Sequence, residues 1–207
     1  LSENPLFEIL GAVLYPKNKD RYWTEDPRDL IKCINVPELT LKDLSKLDFD
    51  IALSVNYHKI IDASTLKLAP LGFWNVHHSH NLRLKGRNIT TECILLARKE
   101  NCFHHGTCLH LMGESLDDGP IIDSKAIDIE NDDTAHSLFL KCDTAALAII
   151  KEWLPRIATQ AVHPYQPQKE NTHFFRSTDI PSRCIDPTWP PDRTFDFVRA
   201  FEFPPFE

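Results

Sequence analysis

Residues 72–88 read GFWNVHHSHNLRLKGRN, and residues 106–123 read GTCLHLMGESLDDGPIID. The first segment opens with a strand-length apolar run, Phe73–His77, and then turns polar. Residues 89–100 between them carry a helical pattern. The second segment offers a further strand, then a turn holding Asp117, Asp118 and a Gly-Pro pair. Strands that alternate with helices predict an α/β fold, a mostly parallel open sheet with helices on both faces. Ligands sit beyond the carboxyl ends of the strands in such a sheet. Neighbouring strands would bring Asn75, His77 and an acid of the Asp117–Asp118 pair to one edge. Residues two apart on a strand point to the same side, so Asn75 and His77 share a face and His78 points away. An amide, an imidazole and a carboxylate together suit acyl-type transfer. The first two can hydrogen-bond a developing oxyanion, and the carboxylate steadies the imidazolium. An Asn-x-His pair alone has low specificity, since a strand end often carries polar residues.

Upstream, residues 49–55 form a compact apolar run that reads as a buried strand, with Asn56 and Tyr57 at its end. Tyr57 reads equally as a pocket wall or as core. Residues 39–47 carry leucines at helical spacing, and 59–68 read as a short helix or turn closed by Pro70. Residues 6–15 suggest a helix end followed by a strand, 17–29 a loop, and 30–35 a short helix or strand. Downstream, 107–112 and 121–129 read as strands. Asp132, Asp133 and Thr134 are good N-caps for a helix that ends near Pro155. From residue 163 the chain becomes polar and Pro-rich, with a final short helix over 194–201. The expected organisation is a domain over 1–160 and an extended arm over 161–207.

The 207 residues suffice for one large domain, and 42% hydrophobic with 26% charged residues is ordinary globular composition. No apolar run approaches the roughly 20 residues of a membrane span. A net charge of −7 gives no general attraction for nucleic acid. The six cysteines contain no CxxC pair and read as reduced, mostly buried thiols of a cytosolic protein. His77, His78, His80, His104, His105 and His110 crowd one region, but no HExxH pattern fits and no metal is expected. Arg83, Lys85 and Arg87 form a basic run that reads as a solvated loop or an anion contact.

Residues 75–79 (NVHHS) and 82–88 (LRLKGRN) resemble the formyltransferase pattern Asn-x-His-Pro-Ser-Leu-Leu-Pro-x-x-(Arg/Lys)-Gly. Residues 106–121 resemble that family's Gly-x-Thr-x-His-x-Met-x4-Asp-x-Gly-Pro. The resemblance covers roughly residues 48–155. More faintly, Val198-Arg199-Ala200 with Pro204 and Pro205 looks like the family's Ile-Arg-Ala-Leu-x-x-Pro element. It implies a Rossmann-type formyltransferase fold and transfer of a formyl group from 10-formyltetrahydrofolate to an amine. The family's catalytic Asn, His and Asp fall on Asn75, His77 and Asp117, the acid being the one two before the Gly. The resemblance further implies Val55, Asn56, Tyr57, Leu116 and Asp118 at the folate, and Ser79, Arg83, Lys85 and Arg87 at the acceptor substrate.

The stretch from Ser54 to Tyr57, the His-His-Ser variant and residues 174–180 resemble the branch acting on nucleotide-linked amino sugars. The alternatives are a methionyl-tRNA formyltransferase-like enzyme and a non-catalytic formyltransferase-like binding protein. The expected partners are folate and a small-molecule amine, with no membrane, nucleic acid only as tRNA under that alternative, and a homodimer in the cytoplasm. Departures from the pattern are His78 for Pro, His80-Asn81-Leu82 for Leu-Leu-Pro, and Cys108 for Thr. The family's first strand and the loop behind it have no counterpart, so the expectation is an N-terminally incomplete domain, either a fragment or a degenerate copy.

Overall fold

A computed structural model describes residues 4–16, 26–57, 59–167, 172–176, 178–179 and 182–204. The expected loop over 17–29 lies mostly outside the described residues. Strands β1 (Ala12–Val13) and β2 (Glu38–Leu39) pair in parallel, with α1 (Pro27–Cys33) between them in the chain. Asp26 starts α1 by accepting from the Arg28 N–H, and Pro27 sits in its first turn, where a missing donor costs nothing. The helix expected over 39–47 shrinks to a 3-10 turn, Asp43–Lys46. Asp43 there accepts from the N–H and hydroxyl of Thr40, a local bond that competes with a longer helix. The remaining elements are β3 (Ala52–Val55), α2 (Ala63–Leu66), β4 (Phe73–His77), β5 (Leu84–Gly86), α3 (Ile89–Ala97), β6 (His104–Leu111), β7 (Ile121–Asp128), α4 (Ala135–Ala158), β8 (His173–Phe175) and α5 (Pro191–Phe201).

The central sheet has the order β3-β4-β6-β7. β3 pairs with β4 in parallel, as β1 does with β2 and β5 with β8, whereas β4–β6 and β6–β7 are antiparallel. The α/β class holds, with a mixed central sheet. No helix separates β6 from β7, and strands joined without a crossover pair antiparallel. One consequence reaches the site. Leu111, at the end of β6, pairs with Trp74 near the start of β4. The loop carrying Asp117 therefore leaves the sheet at the end opposite to the expected one, and it must fold back along β4.

On β4 the two-residue period sends Trp74 and Val76 into a core shared with Leu109, Ile122 and the α4 residues Ala146, Ile149 and Ile157. A second cluster packs Leu84, Ile89, Cys93 and Ile94 against Ile129, Leu138 and Ala200. Thr134 and Ser137 start α4 with a reciprocal capping box. The helix runs through Pro155, its expected end, to Ala158. A single proline in the last turns interrupts the ladder without stopping it, and the Pro155 carbonyl accepts from the Thr159 N–H. All six cysteines are free. Burial pushes the Cys93 and Cys142 thiols up to about 12, so they stay protonated. No described helix is long and apolar enough to cross a membrane.

Beyond an antiparallel bridge between Tyr165 and Ile121, the late segment is tied down at two further places. β8 pairs with β5, and the Arg87 N–H donates to the Phe175 carbonyl. Gly86, at φ 91°, lies so close to that carbonyl that a Cβ would sit 2.0 Å from its oxygen. At the second place, α5 docks through Arg199. Its buried guanidinium pairs with Asp196 and donates to the carbonyls of Glu130 and Asp133, while Asp196 also accepts from Arg98, which caps the end of α3. Arg199→Ala is expected to cost about 3 kcal/mol in chemical denaturation, because two carbonyls lose a donor and the buried Asp196 carboxylate keeps only Arg98. A loss below about 1 kcal/mol would mean that α5 docks by its apolar face alone.

Candidate active site

Asn75 and His77 project from the same side of β4, as the strand period requires. The His77 Nε2–H donates to the Leu84 carbonyl at 2.8 Å. A carbonyl can only accept, so this bond fixes the tautomer and leaves Nδ1 turned toward Asp117, 3.6 Å from its Oδ1. The other carboxylate oxygen accepts from the Gly86 N–H at 2.9 Å. Asp117 holds a left-handed backbone, φ 47°, which Asp and Asn tolerate better than other side chains.

The Asn75 amide donates to His110 Nε2 at 3.2 Å, and His110 Nδ1–H donates to the Leu111 carbonyl at 3.1 Å. Both bonds require a neutral His110 ring protonated on Nδ1. Burial, reinforced by the neighbouring His77, pushes His110 down to about 4 and keeps it neutral. One amide N–H of Asn75 is thereby engaged, and the other remains for a ligand. The returning loop passes so near that a Cβ on Gly119 would lie 1.7 Å from the Leu111 oxygen and 3.5 Å from His110 Nδ1. Asn75, His77, His110 and Asp117 open on one cavity of about 770 Å³, within the roughly 300–1,000 Å³ range of ligand pockets. Its volume and mixed polar and aromatic wall fit a ligand with a flat ring system and polar substituents.

The His78 ring turns toward α4, although the residue also borders the cavity. Its Nε2 lies 2.9 Å from Asp143 of α4, and its Nδ1 meets the Thr107 hydroxyl. Among the residues expected at the folate, Asn56, Tyr57 and Leu116 line the cavity, whereas Val55 and Asp118 do not. Among those expected at the acceptor, only Arg87 lines it. The other three do not line it, and their polar groups have partners within the protein. The Ser79 hydroxyl accepts from the Leu84 N–H, Arg83 pairs with Glu100 at 2.7 Å, and Lys85 pairs with Asp118. Sequence reasoning missed the Leu84 carbonyl and the Gly86 N–H, since backbone groups carry no residue-type signal. It also missed Glu92 on α3, which lines the cavity. Among the described residues no group of three His, Cys, Asp or Glu is arranged to hold a metal ion.

Two buried imidazoles give the fold a pH signature. His105 is enclosed beside Thr90, and burial pushes it down to about 3, while His110 stands near 4. The unfolded chain takes up these protons below about 6.5, and the folded chain does not. Their contribution is therefore complete above pH 6.5 and is lost as the pH falls toward the folded values. Each can cost up to about 3 kcal/mol by pH 4. The melting temperature is expected to fall from pH 6.5 to 4, and His105→Gln is expected to flatten that slope. An unchanged slope in this variant would assign the acid sensitivity elsewhere.

The profile of the formyl transferase family matches residues 34–154, more than half of the chain. The chain belongs to the formyl transferase family. Among its curated relatives, GDP-perosamine N-formyltransferase of Brucella melitensis is 30% identical over 162 residues, covering 78% of this chain and 60% of the relative. The bifunctional polymyxin resistance protein ArnA of Wigglesworthia glossinidia brevipalpis is 28% identical over 161 residues, covering 78% and 24%. The chain thus spans less than two thirds of these relatives' length. The formyl transferase fold is equally plain in solved structures. The sugar 3N-formyl transferase WlaRD, crystallised in the presence of dTDP and 5-N-formyl-THF, superposes with a TM-score of 0.76 at 22% identity, over 90% of this chain and 67% of that one. An N-formyltransferase of Helicobacter canadensis, in complex with folinic acid and dTDP-3-aminofucose, gives a TM-score of 0.76 at 20% identity, over 90% and 69%.

Proposed function

We propose that this chain transfers a formyl group from 10-formyltetrahydrofolate to the amine of a nucleotide-linked amino sugar. The observation that carries the reading is the meeting of Asn75, His77 and Asp117, from two separate segments, on one cavity. Relatives that act on amino sugars support the choice of acceptor. Asn56, Tyr57 and Leu116 line the cavity and would hold the folate ring system.

The chemistry follows from which atoms are already engaged. His77 Nε2–H is bound to Leu84, so the ring acts through Nδ1. As the acceptor's neutral amine bonds to the formyl carbon, Nδ1 takes its proton. The resulting imidazolium lies between the Leu84 carbonyl and the Asp117 carboxylate, which both favour the charge. The second N–H of Asn75 donates to the oxyanion as the carbon becomes tetrahedral. His77 then returns the proton to the departing folate nitrogen as its bond to carbon breaks. The products are the formamido sugar and tetrahydrofolate.

The test supplies the full-length protein with 10-formyltetrahydrofolate and either GDP-perosamine or dTDP-3-aminofucose, and follows the sugar by mass spectrometry. A gain of one formyl group is the expected result. Formylation of methionyl-tRNA alone, or folate binding with no transfer to any amine, would replace this reading by one of its alternatives. The cytoplasmic location and the homodimer belong to the same proposal, to be decided by fractionation and light scattering.

A further inference from the structure

Glu92 on α3 is 8% exposed and lines the cavity. Among the described residues no hydrogen bond or ion pair reaches its carboxyl group. Burial raises its pKa first, and the negative charge of Asp179 raises it further. An acid hidden from water without a partner is costly to keep. A solely structural position would favour an apolar side chain. A ligand that brings donors into the cavity offsets that cost. The same cavity carries Arg87 and Arg176 on its wall, so its charge is of both signs. A nucleotide-linked sugar has matching halves, anionic phosphates and a neutral ring rich in hydroxyl donors.

We propose that Glu92 is the sugar-recognising residue of this cavity, its carboxylate accepting hydrogen bonds from hydroxyl groups of the acceptor's sugar ring and repelling phosphate from that wall. The inference rests on the amino-sugar reading above and names a residue that reading does not require. Glu92 binds, and it takes no part in the proton transfer at His77.

Calorimetric titration of the full chain tests it, with GDP-perosamine, dTDP-3-aminofucose, GDP, dTDP and 5-formyltetrahydrofolate as probes. Glu92→Leu is expected to weaken the tighter-binding amino sugar by about tenfold or more, the loss of a charged hydrogen bond. It is expected to leave the free nucleotide and the folate within about twofold of wild type, and not to lower the melting temperature. Glu92→Gln keeps the shape and one acceptor oxygen, so it should show a smaller loss with the same selectivity even if the Leu variant folds poorly. Amino-sugar binding unchanged in both variants would overturn the inference and leave the amino-sugar reading standing. Parallel loss of sugar, nucleotide and folate would overturn it as well. A wild type that binds folate but neither amino sugar would remove the reading itself, and this inference with it.

Discussion

His77→Ala is expected to lower kcat by about three orders of magnitude while leaving folate affinity within a small factor. The variant removes the His77 nitrogen that faces Asp117 and can take the amine's proton; the opposite nitrogen is bound to Leu84, and His110 Nε2, also near Asp117, already accepts from Asn75. A rapid-quench single-turnover assay isolates this step from product release. His77→Gln provides the control for packing, since it fills the space without a base. His78→Ala provides the control for position. That ring faces Asp143 and Thr107, so turnover should persist while the melting temperature falls. Near-wild-type single-turnover rates in both His77 variants would remove this residue from the chemistry.

The second large effect is expected at Asp117, and it separates charge from shape. Asp117→Asn keeps an acceptor for the Gly86 N–H and tolerates the left-handed backbone, but loses the charge opposite Nδ1. It is expected to slow kcat by about a hundredfold or more with an almost unchanged melting temperature. Asp117→Ala loses the bond to Gly86 as well, and its left-handed backbone adds strain of about 1 kcal/mol. The Ala variant should therefore be as slow as the Asn variant and also less stable. If the Asn variant turns over at the wild-type rate, Asp117 serves only to anchor the loop.

The parts of this protein that could be read from the sequence are those governed by short-range period and punctuation. The two-residue period put Asn75 and His77 on one side of β4 and His78 on the other. The polar run before residue 135 marked the start of α4, and two spaced motifs brought Asp117 to His77. What escaped was set by long-range pairing. The polarity of β6 decided from which end the Asp117 loop arrives, and no local pattern reports it. β5 and β8 are three residues each, too short for a periodic pattern to announce them. Ser79, Arg83 and Lys85 looked available for a substrate because their intramolecular partners at Leu84, Glu100 and Asp118 carry no distinctive signal. Glu92 was passed over because an acid in an amphipathic segment ordinarily faces water.

Gly86 has one face held by Phe175 and its N–H held by Asp117. The two grips meet on a single residue, so the tail works as a splint for the reaction centre. Shortening the gene to its compact block would leave every reacting atom in place and still slacken the acid that must be steady. A molecule that pries β8 from β5 would therefore inhibit twice, by loosening Asp117 and by disturbing the cavity wall to which Phe175 and Arg176 belong.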